Sequence, residues 1–67
     1  MALHQVAGCD DLATCPGVFV EGDDVVVQGY QISTDTRAQL TLAADETAVR
    51  LPRQLILDAA ARLTEGV

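Results

Sequence analysis

A nucleophilic enzyme needs an attacking group, a base beside it and a third group to orient that base. In this 67-residue chain the side chains that could supply such a set are few: one histidine (His4), two cysteines (Cys9 and Cys15), one serine (Ser33) and no lysine. Three of these fall in the first fifteen residues beside Asp10 and Asp11. Nothing in their spacing holds them to one another, and a fold this small has little room for a substrate pocket of roughly 300 Å³ or more. The expectation is that the chain is not an enzyme and carries no cofactor.

Metal binding is the second chemistry these residues could serve. Cys9 and Cys15 have five residues between them, more than the roughly two to four of a zinc knuckle. His4, Asp10 or Asp11 could add ligands, but no second Cys or His pair follows downstream. Cysteine is also among the residues most often buried as a small hydrophobe. Two reduced thiols are therefore the expectation. A zinc site built from Cys9, Cys15 and His4, or a Cys9–Cys15 disulfide, are the alternatives.

The charge excludes further classes. Ten carboxylates against four arginines leave a net charge of −6. Phosphate backbones are neutralised by clustered Lys and Arg, and anionic membrane surfaces attract basic segments. Neither direct nucleic-acid binding nor membrane binding is expected. Residues 1–8 (MALHQVAG) show no basic, apolar leader, and no run approaches the roughly 20 apolar residues needed to span a bilayer. A cytoplasmic protein is the expectation.

The elements that must position any site follow from periodicity. Residues 1–16 read as an irregular arm ending in Pro16-Gly17, and residues 17–67 as one small domain. Gly17 to Glu21 (GVFVE) and Val25 to Tyr30 (VVVQGY) are β-rich runs around Gly22-Asp23-Asp24, which predicts a hairpin. Gln31 to Thr36 reads as a polar loop. Ala38 to Ala43 and Thr47 to Leu51 alternate with period two and predict two further strands. From Pro52, Leu55, Ile56, Ala59, Ala60 and Leu63 recur at helical spacing, with Arg62 in the last turn and Gly66 as a terminator. The predicted fold class is α+β, mostly β: a four-stranded antiparallel meander covered by a short C-terminal helix. Leu40, Leu42, Val49 and Leu55 are its expected core.

One helix cannot cover both faces of that sheet. In the hairpin, Val18 and Val20 share a face with Val25 and Val27, which leaves Phe19, Val26 and Tyr30 opposite. Leu57 lies about 200° around the helix from Leu55. Exposed apolar patches on small domains mark interaction sites, and aromatic anchors dominate them. Phe19, Val26, Tyr30 and Leu57 are thus the expected interface, both for a homodimer and for a protein partner.

Two resemblances refine the class of partner. Thr47 to Leu63 (TAVRLPRQLILDAAARL) resembles the opening of ribbon-helix-helix DNA-binding proteins, in which Arg50, and Thr47 with it, would face the major groove. That alternative conflicts with the acidic charge. Cys15 to Tyr30 (CPGVFVEGDDVVVQGY), with Leu51-Pro52 and Leu55 downstream, resembles the small actinobacterial BldB-like regulators over residues 15–63. That resemblance implies a non-catalytic interaction module with an antitoxin-like or developmental role, acting as the partner of a helix-turn-helix transcription regulator. Gln28-Gly29-Tyr30-Gln31, and the aliphatic Leu55 and Ile56, depart from that family's pattern.

Overall fold

The computed structural model describes residues 3–9 and 15–65. The expected α+β class is what the chain adopts: antiparallel strands in two sheets and a C-terminal helix. The first sheet has the order β1-β2-β3, with β1 at His4–Gly8, β2 at Gly17–Glu21 and β3 at Asp24–Gln28. The second is a short ribbon of β4 (Tyr30–Gln31) and β5 (Val49–Arg50). Helix α1 spans Thr34–Ala38, and helix α2, Arg53–Glu65, packs against β1 and β2.

The hairpin forms as its residues dictate. Glu21 pairs with Asp24, so the connection is the two-residue turn Gly22-Asp23. Gly22 has φ of 62°, and among the described residues no non-glycine residue has a positive φ. Positive φ at the first central position alone is the signature of a type II′ turn, whose twist matches that of the flanking strands.

The expected single four-stranded meander is instead two separate sheets, and the strand expected over Val25 to Tyr30 ends at Gln28, with Gly29 leading Tyr30 into the second ribbon. Three further stretches differ from the sequence expectation. His4–Gly8, expected to be irregular, is an edge strand paired with β2. Its register runs His4 to Val20 and Gln5 to Phe19, then shifts so that Ala7 faces Val18. Val6 is the extra residue of a β-bulge. The Gln5 side-chain amide spans that bulge, donating from Nε2 to the carbonyls of Ala7 (3.3 Å) and Cys9 (3.1 Å). Gly8 then turns the chain at φ 120°, where a Cβ would lie 2.7 Å from the Pro16 carbonyl oxygen.

The second difference is α1, in the stretch expected to be a polar loop. Ser33 caps it, its hydroxyl accepting the Thr36 N–H at 3.2 Å, and Asp35 sits in the first turn near the positive end of the helix. The third is the expected strand at Ala38 to Ala43. Ala38 ends α1, and the N–H groups of Gln39 and Leu40 fold back to the carbonyls of Thr36 and Arg37 at 3.1 Å each. Further on, Glu46 closes a turn with Ala43 through its backbone N–H (3.0 Å) and its carboxylate (2.8 Å). Local capping therefore overrides the alternation over Ala38 to Ala43. The expected strand at Thr47 to Leu51 shrinks to Val49–Arg50.

The core moves accordingly. Among the described residues the buried apolar side chains are Val18, Phe19 and Ala59. Leu40 and Val49, expected inside, are 45% and 39% exposed, while Leu42 and Leu55 are half-buried. The stripe of α2 is narrower than expected: Leu55, Ala59 and Leu63 turn inward, and Ile56 and Ala60 are exposed. Pro52 lies just before α2, its carbonyl accepting from the Leu55 N–H at 3.1 Å. Gly66, the expected helix terminator, lies outside the described residues.

Candidate protein-interaction surface

The four expected interface residues separate into two groups. Phe19 is buried, at 7% exposure, and this corrects its placement on an open face. The pairing logic itself holds: Phe19 faces Val26, Val18 faces Val27 and Val20 faces Val25. The reason for the correction is topological. With β1 added, β2 becomes the central strand, and neighbouring residues on it point to opposite faces. Val18 (2% exposed) and Phe19 are nevertheless both buried, so each face is covered at β2.

Val26, Tyr30 and Leu57 are exposed, at 38%, 51% and 55%. They stand on three different elements: Val26 on β3, Tyr30 on β4 and Leu57 on α2. The pattern that sequence reasoning missed is β3 itself, where every residue from Asp24 to Gln28 is exposed. Val25 (49%) and Val27 (42%) open on the face opposite Val26. The missed signal was three consecutive valines beside an acidic turn, in a strand with a neighbour on one side.

The total surface makes the same point. A folded monomer of 7.1 kDa exposes about 4,100 Å² by the usual size scaling, whereas this chain exposes 5264 Å². Its radius of gyration is 13.1 Å, against about 11 Å for a compact domain of this length.

The residues considered for chemistry are placed as follows. Cys9 and Cys15 form a disulfide, with Cα atoms 6.0 Å apart, inside the usual range for such bridges. This replaces the expectation of two reduced thiols, because Gly8 and the bulge bring the ends of β1 and β2 together. Sulfurs so joined are neither thiolate ligands nor nucleophiles. His4 stands exposed at the opposite end of β1, and Asp10 and Asp11 lie outside the described residues. Among the described residues no three His, Cys, Asp or Glu side chains are grouped as a metal site requires.

Ser33 is occupied in capping α1. Its hydroxyl also lies 3.0 Å from that of Thr36, which accepts from the Arg50 guanidinium at 3.1 Å. Arg50 thus ties β5 to α1. Its strand is paired within the chain, to Tyr30–Gln31. Thr47 falls outside β5.

Surface grooves of about 370 and 280 Å³ do exist, at the size a small ligand needs. The larger lies between the bulge and α2, lined by Val6, Ala7, Gly8, Asp58, Ala61 and Arg62. The smaller lies beside the disulfide, against Pro52, Leu55 and Asp58. Neither brings a nucleophile, a base and an orienting group together. Among the described residues, no helix is long and apolar enough to cross a membrane. No protein-family model, curated protein or solved structure matches the chain.

Proposed function

We propose that this chain is a non-catalytic protein–protein interaction module that completes its apolar core against other polypeptides. The observation that carries this reading is the imbalance between a buried core of Val18, Phe19 and Ala59 and the large apolar side chains left in solvent. Full burial of a branched or aromatic side chain contributes roughly 1.5–3 kcal/mol, so covering Val26, Tyr30 and Leu57 offers a substantial driving force. The net charge of −6 directs such a surface toward neutral or basic proteins. The resemblance of residues 15–63 to BldB-like regulators nominates a helix-turn-helix regulator as that partner. Influence on transcription would then pass through the partner's own basic residues.

Photo-crosslinking tests this. A benzophenone amino acid in place of Tyr30 or Leu57 is expected to give one or two discrete protein adducts in native lysate, a regulator or a second copy among them. The same group in place of the exposed polar residue Gln39 serves as the control. Equal, diffuse labelling from all three positions would remove the basis for the reading.

A further inference from the structure

We infer that a second copy of this chain docks along the outer edge of β3, antiparallel and centred on Val26, to make one continuous six-stranded sheet. The inference rests on the interaction-module reading above and names one of its partners.

The hairpin dictates which backbone groups are available. In a hairpin with a two-residue turn, the closing pair exchanges both backbone hydrogen bonds, and hydrogen-bonded pairs then alternate with non-bonded ones. Glu21 and Asp24 close the turn. Asp24, Val26 and Gln28 therefore direct their backbone N–H and C=O groups toward β2, and Val25 and Val27 direct theirs outward. Every residue of β3 is exposed, and among the described residues no further strand pairs on its outer side.

The two edges of the sheet are not equivalent. β1 carries the Val6 bulge, lies against α2 and runs into the disulfide. Bulges and covering helices are the devices by which proteins block edge pairing. β3 has neither. It is a regular five-residue edge with valine at its three central positions.

Self-pairing has one favourable register. With Val26 opposite Val26 of the second copy, Val25 and Val27 exchange their outward hydrogen bonds with Val27 and Val25 across the axis. Asp24 then stands opposite the neutral Gln28. Outward backbone groups stay in phase only when the register moves by two residues. Moving it by two toward the turn places Asp24 opposite Val26, and moving it by four sets Asp24 against Asp24, a like-charge pair that opposes association. Sliding the other way shortens the overlap. The Val26-centred register uses the whole strand and keeps the carboxylates apart.

A two-fold axis perpendicular to the sheet keeps each face on its own side. The Phe19–Val26 pair of one copy then continues into that of the other, and so do the Val18–Val27 and Val20–Val25 pairs on the reverse face. The enlarged sheet ends in β1 on both sides, and such an assembly closes as a dimer rather than growing.

Sedimentation equilibrium at micromolar concentration is expected to give a dimer for the wild type. Val25→Pro removes an outward N–H and places a ring at the edge while leaving the bonds to β2 in place. It is expected to give a monomer with an unchanged circular dichroism spectrum. Val26→Cys supplies a second readout that does not depend on that variant folding. In a non-hydrogen-bonded pair the two Cα atoms lie about 4.5 Å apart, within disulfide reach. Mild oxidation is therefore expected to give a covalent dimer on non-reducing gels. In Val25→Cys the two cysteines would stand more than about 7 Å apart, beyond that reach, and no covalent dimer is expected. A wild-type monomer overturns the inference, leaving the interaction-module reading to the crosslinking test. A dimer that survives Val25→Pro, or equal covalent dimer from Val25→Cys and Val26→Cys, shows that the second copy docks elsewhere. It overturns the β3 edge alone.

Discussion

Replacing Phe19 by alanine should strongly destabilise this protein, and replacing Tyr30, its other aromatic residue, should not. Phe19 sits on the central strand between Gln5 of β1 and Val26 of β3, and only 7% of it reaches solvent. Truncating a buried Phe to Ala costs about 3–5 kcal/mol, through lost transfer energy and the cavity left behind. A domain of this length has a total stability of roughly 3–10 kcal/mol. The loss is therefore a large fraction of the whole, and it lowers Tm by roughly 12 °C or more, at about 4–8 °C per kcal/mol for small domains. Tyr30 is 51% exposed, and surface substitutions stay within about 0.5 kcal/mol. The assay is a far-ultraviolet circular dichroism melt of both variants beside the wild type, under non-reducing conditions and at matched concentration. A Phe19→Ala melt within about 3 °C of wild type would refute the placement of Phe19 in the core. So would a larger loss from Tyr30→Ala than from Phe19→Ala.

Three other outcomes follow from the same structure. The Cys9–Cys15 bridge closes a loop with a sequence separation of 6, which the chain-entropy model values at about 2 kcal/mol. Reduction, or the double Cys9→Ser and Cys15→Ser variant, should lower Tm by roughly 8–16 °C, and a melt indifferent to reductant contradicts the bridge. Gly8→Ala should be among the more damaging alanine substitutions, because it meets both a φ of 120° and the Pro16 carbonyl; loss of β1 protection in amide exchange is the expected signature, and a wild-type exchange pattern counts against the bulge geometry. The purified protein should not shift duplex DNA near physiological salt, and a shift abolished by changing Arg50 and Arg53 would favour the ribbon-helix alternative.

The hairpin was legible in the sequence because its information is local: a two-residue turn headed by glycine, flanked by β-branched residues in register. The C-terminal helix was legible for the same reason, with proline before it and Leu55, Ala59 and Leu63 at helical spacing. β1 was not, since HQVAG has only Val6 and Ala7 as apolar residues. Its bulge also breaks the alternation that marks a strand, and its partner is β2, beyond the disulfide loop. α1 carried a readable signal, Ser33 followed by Asp35 and Thr36, which was outweighed by the general polarity of the segment. Leu40 and Leu42 misled in the other direction, alternating over too few residues to outweigh a capped helix beside them. Of the candidate site, the identity of side chains sharing a face could be read from pairing alone. Which of them remained open could not, because that depended on the unseen third strand, and so Phe19 was misplaced. The joining of Cys9 to Cys15 likewise required the turn at Gly8, which their spacing does not reveal.

The Cys9–Cys15 bond also restricts how two copies of this chain can meet. Edge strands joined by short connections are the elements most readily exchanged between identical molecules, each copy lending its strand to the other's sheet. Here Cys9, the residue after the strand that would be lent, His4–Gly8, is tied covalently to Cys15, two residues before its own partner strand. The strand cannot swing across to another molecule without first breaking that bond. Domain swapping through β1 is closed to the oxidised protein and becomes available on reduction, so the thiol state of the surroundings would separate a surface-docked assembly from an intertwined one.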